Sequence, residues 1–450
     1  MNFIYLKPVL TGLAGILLCQ ILMLPLNVAA QQNSRPFQLS LQEAIMLGKS
    51  NNNLVKAAQS EENAARADLK DAKIAALPTI TAGGDYQRFT SLTLYESFLG
   101  GAHSVPKRPS SNGADLNVSA AVNLYSGGRQ KAFEAEQKGK RDLATVATQE
   151  QTANVALQVV AQYLSMVRLN DQKRFIEEQV IRAQTRLKNI NALYSNQKVT
   201  RSDVLRAELV LSAVKLNLEQ AENDIIISSQ KLNVLLNVPD SLRVLPADSA
   251  NMSRPRADTL LQLVSEAARN AYAVQRSGYN IKIQDARIRG IKSNYAPSLS
   301  LFSAYGISYP NTIFYPPVDQ AYSIGFVGLK VSYNISSLYQ NKNKMLAGRM
   351  RRLELNYVQQ NTKDNVRQEA GSLLIKYQEA LNRISVTEKS IEQARVNYKI
   401  VSAKYFNQLA LLTDLLDADN LYQESRFNLV QAQTNAQFIY YQLLYTSATF

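Results

Sequence analysis

The sequence predicts a mixed, internally duplicated fold, each half running helix, β-hairpin, long α-helical hairpin. Three observations predict it. The chain aligns on itself over nearly all of its length after residue 30. In each half the hydrophobic period switches from helical to alternating and back. A long proline-free helical pattern then follows each predicted hairpin.

Residues 1–30 read as a secretory signal peptide. One positive charge at Lys7 precedes an apolar run through Leu13, Leu17 and Leu22, which exits at Val28-Ala29-Ala30. Cys19, the only cysteine, falls inside it, so the mature chain is expected to form neither disulfides nor thiolate metal sites. Beyond residue 30 no run of about 18 apolar residues occurs, so any membrane entry must use strands. The net charge is +14, yet Lys and Arg are scattered among Glu, Asp and Gln along the helical patterns. Solvated helix faces explain that distribution better than a nucleic-acid site.

The first repeat is expected over 31–237, a linker over 238–257 and the second repeat over 258–450. Leu41 aligns with Leu260, Val55 with Val274, Ala67 with Ala286 and Pro78 with Pro297. After one shift of register, Asn123 meets Asn334, Asp203 meets Asp414 and Leu218 meets Leu429. The shift puts a longer insertion in the first copy, and insertions sit in loops. Three prolines, Pro239, Pro246 and Pro255, mark the linker, where at most short structure is expected.

Each repeat opens with a helix. Leu41, Ala44, Ile45 and Gly48 keep helical spacing, and Ser40 with Glu43 fits a capping box. Pro78 and Pro297 end the two helical patterns. Strands are then predicted at about 79–90, 114–125, 298–309 and 321–334. Leu116, Val118, Ala120, Val122 and Leu124 alternate with Asp115, Asn117, Ser119, Ala121 and Asn123, giving one apolar and one polar face. Each strand has the length a tilted transmembrane strand needs. Tyr86, Phe89, Tyr95, Tyr309, Tyr315 and Tyr322 mark the expected strand ends, as interfacial aromatics do. Long helical hairpins are predicted at 127–236 and 341–445. A helix of such length reaches on the order of 100 Å, far beyond a bilayer core of about 30 Å, and both carry charges throughout, so they stand in water. Four strands cannot close a barrel in hydrocarbon, where every edge must be paired, so several copies must contribute. Two copies give eight strands and a filled lumen; three give twelve and a passage.

Several duplicated motifs, in order, resemble the TolC-type outer-membrane efflux family. Leu39-Ser40-Leu41-Gln42-Glu43-Ala44-Ile45 with Asn51-Asn52 and Leu54 is similar to its first-helix pattern. Leu77-Pro78 resembles its helix-to-strand junction, and Leu124-Tyr125-Ser126-Gly127-Gly128-Arg129 its strand-to-helix junction. Asp203-Val204-Leu205-Arg206-Ala207 and Asp414-Leu415-Leu416-Asp417-Ala418 resemble the motif at the tips of its hairpins. The resemblance covers essentially all of the mature sequence. It implies a homotrimer with a twelve-stranded transmembrane β-barrel continued by a periplasmic α-helical barrel in the cell outer membrane. It also implies docking to a periplasmic adaptor (membrane fusion) protein and to an inner-membrane RND or ABC transporter. The chain departs from the family where Gln197 and Gln408 stand at tips often occupied by Gly, and where Asn123 and Asn334 stand for Pro. Asn196 and Asn407 can supply the left-handed turn instead.

No catalytic constellation is legible. His103, the sole histidine, lies in a predicted outer loop without a nucleophile, and no phosphate-binding loop precedes a helix, so neither an enzyme nor a cofactor is expected. The site residues singled out are those of the hairpin tips: Asn196, Gln197, Asp203, Asn407, Gln408, Asp414 and Asp417. Repeated around an oligomer, the three aspartates would ring a tunnel mouth and select cations. Their other reading is helix capping, since Thr200 to Asp203 fits a capping box. The expected function is passive export of small molecules, energised by a partner. A duct for secreted proteins uses the same tunnel, and a structural coiled-coil envelope protein is the alternative from another class.

Overall fold

The computed structural model describes residues 37–90, 92–95, 100–105, 110–248, 257–311, 313 and 318–450. The expected signal peptide, Cys19, the end of the linker and parts of the two outer loops lie outside the described residues. A short strand β1 (Phe37–Leu39) leads into α1 (Leu41–Asn51) and α2 (Asn53–Ile74). The Ser40–Glu43 capping box forms, with the Ser40 amide donating to Glu43 at 2.9 Å. Asn52 separates the two helices. Its side chain accepts from the Leu54 amide and donates to the Leu235 carbonyl at 2.8 Å, so the break is fixed from outside as well as within.

The sheet follows: β2 (Thr79–Arg88), a small hairpin β3 (Leu92–Tyr95) and β4 (Ala102–Val105), then β5 (Asn112–Tyr125). That small hairpin occupies what the sequence read as loop, and His103 lies in β4 opposite Leu94. Short strands bracketed by turn residues carry too little alternation to stand out from a loop. Helix α3 (Arg129–Ser195, 67 residues) and its return α4 (Arg201–Leu236) complete the first half. In the linker, β6 (Val244–Pro246) pairs in parallel with β1.

The second half repeats the order with α5 (Ala257–Asn270), α6 (Tyr272–Ser293), β7 (Ser298–Tyr309), β8 (Tyr322–Ser332), α7 (Ser337–Phe406) and α8 (Leu412–Thr446). The four long strands form one antiparallel sheet in the order β2-β5-β7-β8, so the two hairpins join through β5 and β7. Strands β2 and β8 are its edges.

Below the sheet, α2 packs on α3, and α6 packs on both α3 and α7. Further down, α4 takes the place beside α3, and α8 lies against both α7 and α3. Each chain therefore presents a row of four helices at every level. The long members, α3 and α7, run the whole way, about 100 Å at 1.5 Å per residue. Where α2 gives way to α4, a core gathers Leu39, Leu41, Val155, Val159, Tyr163, Met166, Leu232 and Leu236. Gly48 is required here: a Cβ would sit 2.7 Å from Val159 Cγ2. The buried Tyr163 hydroxyl donates to the Leu39 carbonyl at 2.9 Å and also bonds Asp248, tying the linker to α3. Among the described residues no helix is long and apolar enough to cross a membrane.

Candidate conduit and its tips

The strand register sorts the sheet into two faces. Ile80, Leu116, Val118, Val122, Leu299, Leu301, Tyr305, Ile307, Val327, Leu329 and Val331 share one face, because each pairs in register with a member of the same set or with a small residue. This face is bare in the single chain, with Ile80 at 71% and Val327 at 73% exposure. An exposed apolar face of this size needs a cover. The other face is polar and bonded to itself. The Asn117 amide and the Ser308 hydroxyl both donate to Asp115, Thr81 meets Ser119 at 2.8 Å, and Ser300 donates to Asn123 at 2.8 Å. Phe302 on β7 and Ile324 and Phe326 on β8 break the pattern on the polar side, with Phe326 edge-on to Phe302. Gly328 makes room there, since its Cβ would lie 2.8 Å from the Phe302 ring; on the apolar face Gly325 does the same for Tyr305, also at 2.8 Å.

At the far end the two helical hairpins turn identically. The Lys198 amide bonds the Leu193 carbonyl and the Gln197 amide bonds Tyr194; Leu409 bonds Lys404 and Gln408 bonds Tyr405. This is a Schellman arrangement, and it places the left-handed residue one position after the helix cap. That residue is Gln197 (φ 56°) in one hairpin and Gln408 (φ 63°) in the other. The expectation that Asn196 and Asn407 supply the left-handed turn is therefore corrected. The asparagines sit at the cap with φ of −93° and −94°. Their side-chain amides are already used, donating to the Ala192 and Ala403 carbonyls at 2.7 and 2.8 Å.

Asp203 closes a capping box with Thr200, accepting from its amide at 3.0 Å and its hydroxyl at 2.8 Å. Asp414 accepts from the Leu411 amide at 3.0 Å in the equivalent place, without a hydroxyl partner because Leu411 stands where Thr200 does. Asp417 is exposed and, like Asn196, Gln197, Asn407 and Gln408, belongs to the solvent surface of the tip. The two tips are held together by Ile190, Val204, Ala207, Tyr405, Leu412 and Leu415. Burial, with the Asp203 carboxylate adding, pushes the Tyr405 phenol up.

Sequence reasoning missed a set of charges about two to five turns above the tip. Asp419 on α8 is 2% exposed and Arg186 on α3 is 4% exposed. Arg186 Nη2 donates to Asp419 Oδ2 at 2.6 Å and Arg182 Nε to Oδ1 at 3.1 Å. Two turns higher, Arg426 on α8 forks onto Glu178 on α3 and stacks its guanidinium 3.9 Å over the Phe175 ring. The Arg426 hydrogen bond holds Glu178 below the usual carboxylate range. The sequence did hold one signal. The repeat register pairs Asp203 with Asp414, and at the same offset Arg182, Arg186 and Asp419 face Gln393, Asn397 and Glu208. The basic residues thus appear in one copy only, marking a contact between unlike surfaces.

Residues 45–238 match the family model described as outer membrane efflux protein. Over that span the chain is similar to the outer membrane efflux proteins. The resemblance to the TolC-type family holds, and with it the outer membrane as the location. No curated protein matches the chain. Among solved structures, the outer-membrane channel OprN is 15% identical, with 91% of this chain and 90% of that one covered and a TM-score of 0.76. The outer membrane protein VceC of Vibrio cholerae is 14% identical, covering 91% and 96% with a TM-score of 0.74. The Campylobacter jejuni outer membrane channel CmeC is 15% identical, covering 91% and 86% with a TM-score of 0.74. At these identities what is shared is the fold.

Proposed function

We propose that this efflux-family protein is the outer-membrane duct of a tripartite efflux system, working as a homotrimer and conducting small molecules passively from periplasm to exterior. The observation that carries the reading is the sheet: four strands, two unpaired edges, one bare apolar face and one polar face whose groups bond each other. In hydrocarbon the unpaired edges of β2 and β8 cost several kcal/mol per backbone group until another chain completes them. Three copies give twelve strands, enough to leave a passage lined by the polar face. The four-helix row of each chain continues that passage as a twelve-helix tunnel, and the two halves of each chain serve as near-equivalent copies around it.

No nucleotide-binding loop is legible, so the driving energy comes from an inner-membrane RND or ABC transporter, reached through a periplasmic adaptor protein at the helix tips. Asn196, Gln197, Asn407 and Gln408 are the outermost groups there and are assigned to adaptor contact. Asp203, Asp414 and Asp417, repeated threefold, surround the mouth with carboxylates. Detergent extraction followed by gel electrophoresis with and without heating tests the assembly: a heat-modifiable trimer that conducts in planar bilayers is expected. A monomer dissolving freely in plain buffer overturns the reading. Photo-crosslinkers at Asn196 or Asn407 in intact envelopes are expected to capture an adaptor.

A further inference from the structure

The junction between sheet and helices holds a partly open pocket of about 670 Å³. Its roof is the foot of the polar sheet face, through Asn123, Ser298 and Ser332. Its walls are the first turns of α3 and α7, which bring Arg129 and Lys344 to one space from the two halves of the chain. Most of its surface is amide and hydroxyl, and no Asp or Glu lines it.

The charges there are uncompensated. Arg129 Nη2 donates to the Asn294 side-chain Oδ1 at 2.7 Å, a neutral partner that orients the guanidinium and leaves its charge unpaired. Among the described residues neither Arg129 nor Lys344 has a carboxylate within 4.0 Å, whereas Arg276, Arg287 and Arg352 on neighbouring helices do. Ser337, in the same wall, is 4% exposed, and its hydroxyl finds no hydrogen-bond partner. Buried hydroxyls are ordinarily bonded.

We infer that this cavity is a binding site for small anions bearing carboxylate or phosphate groups. The fork of Arg129 suits planar or tetrahedral oxyanions, Lys344 supplies a second point charge, and the amides and hydroxyls accept or donate to the rest of the ligand. Its place on a conduction path rests on the proposed function; binding itself does not. In a threefold assembly six cations then stand below the barrel, opposite in sign to the carboxylates at the tips. The site would favour anionic cargo at the step into the barrel.

The chain has no tryptophan, so Phe133→Trp places a single reporter in the cavity wall. Purified trimer carrying it is titrated with inorganic phosphate, citrate or sucrose at constant ionic strength. Saturable fluorescence change with phosphate or citrate and none with sucrose is expected. Adding Arg129→Gln and Lys344→Gln should weaken it at least about tenfold, the loss of one to two charge-assisted contacts, and Arg129→Lys should recover part. In bilayers under a KCl gradient, the same double variant should move the reversal potential toward cation preference. No saturable change, a change equal with sucrose, or undiminished binding in the double variant overturns the inference. Binding without conduction would count against the duct, not the site; conduction without binding would count against the site alone.

Discussion

Replacing Asp419 with Ala removes the one carboxylate shared by Arg182 and Arg186. Both the carboxylate and the Arg186 side chain are almost wholly enclosed, at 3% and 4% exposure. Their attraction is therefore little screened, and Arg186 cannot turn to water without parting α3 from α8. Removing one partner of such a pair costs about 3–5 kcal/mol, because the other charge stays buried and unpaired. The exposed pair Arg367–Asp364, at 72% and 44%, is the control, where Asp364→Ala should cost under about 1 kcal/mol. A chain of 450 residues with several core clusters does not unfold in two states, so the comparison belongs to local opening. Hydrogen exchange across Asn170–Ser195 and Asp414–Arg426 should accelerate roughly 100- to 4,000-fold in the Asp419→Ala protein, at about 1.4 kcal/mol per tenfold. Asp419→Leu combined with Arg186→Met and Arg182→Met should restore much of the protection, since a packed apolar substitute often equals a buried ion pair. Acceleration no larger than that of Asp364→Ala would refute the argument that burial makes this pair matter.

Four further outcomes are expected. Gly127 (φ +63°) lies where a Cβ would stand 2.5 Å from the Ser293 carbonyl oxygen, whereas a Cβ on Gly128 (φ +84°) meets nothing within 4 Å; Gly127→Ala should abolish heat-modifiable trimers, and Gly128→Ala should cost only the left-handed penalty of about 1–2 kcal/mol. Gln408→Gly should leave the tip at least as protected from exchange as it is now, and Gln408→Val should lower protection by about 1–2 kcal/mol. Glu178 is depressed in the folded state, so its contribution is present above the ordinary carboxylate range and is lost as pH falls through the lowered folded value; exchange protection of α8 near Arg426 should drop in acid, and Glu178→Gln should flatten that dependence. Asp417→Ala should raise single-channel conductance in planar bilayers if the exposed carboxylate narrows or closes the mouth, and an unchanged value removes it from the gate.

The local periods were enough to locate the four long strands, both long helices and their returns, because each face of an element meets one kind of surroundings and its residues record it. Alternation across Asp115 to Leu124 encoded a sheet with a wet and a dry side, and Ser40 with Glu43 or Thr200 with Asp203 encoded where helices begin. The sequence also led to the expectation of more than one copy, since four strands leave edges that lipid cannot satisfy. Tertiary structure decided partners. That β5 lies beside β7, that Arg186 reaches a carboxylate 233 residues away, and that Arg129 and Lys344 share one cavity depend on how helices rotate and strands slide against each other. Those choices are made by packing between distant segments and leave no period in either one. The tips show the same division on a small scale: the residues of the turn were evident, but the hydrogen-bond ring of the Schellman arrangement put the left-handed conformation on Gln197 and Gln408, one step beyond the asparagines that tolerate it more readily.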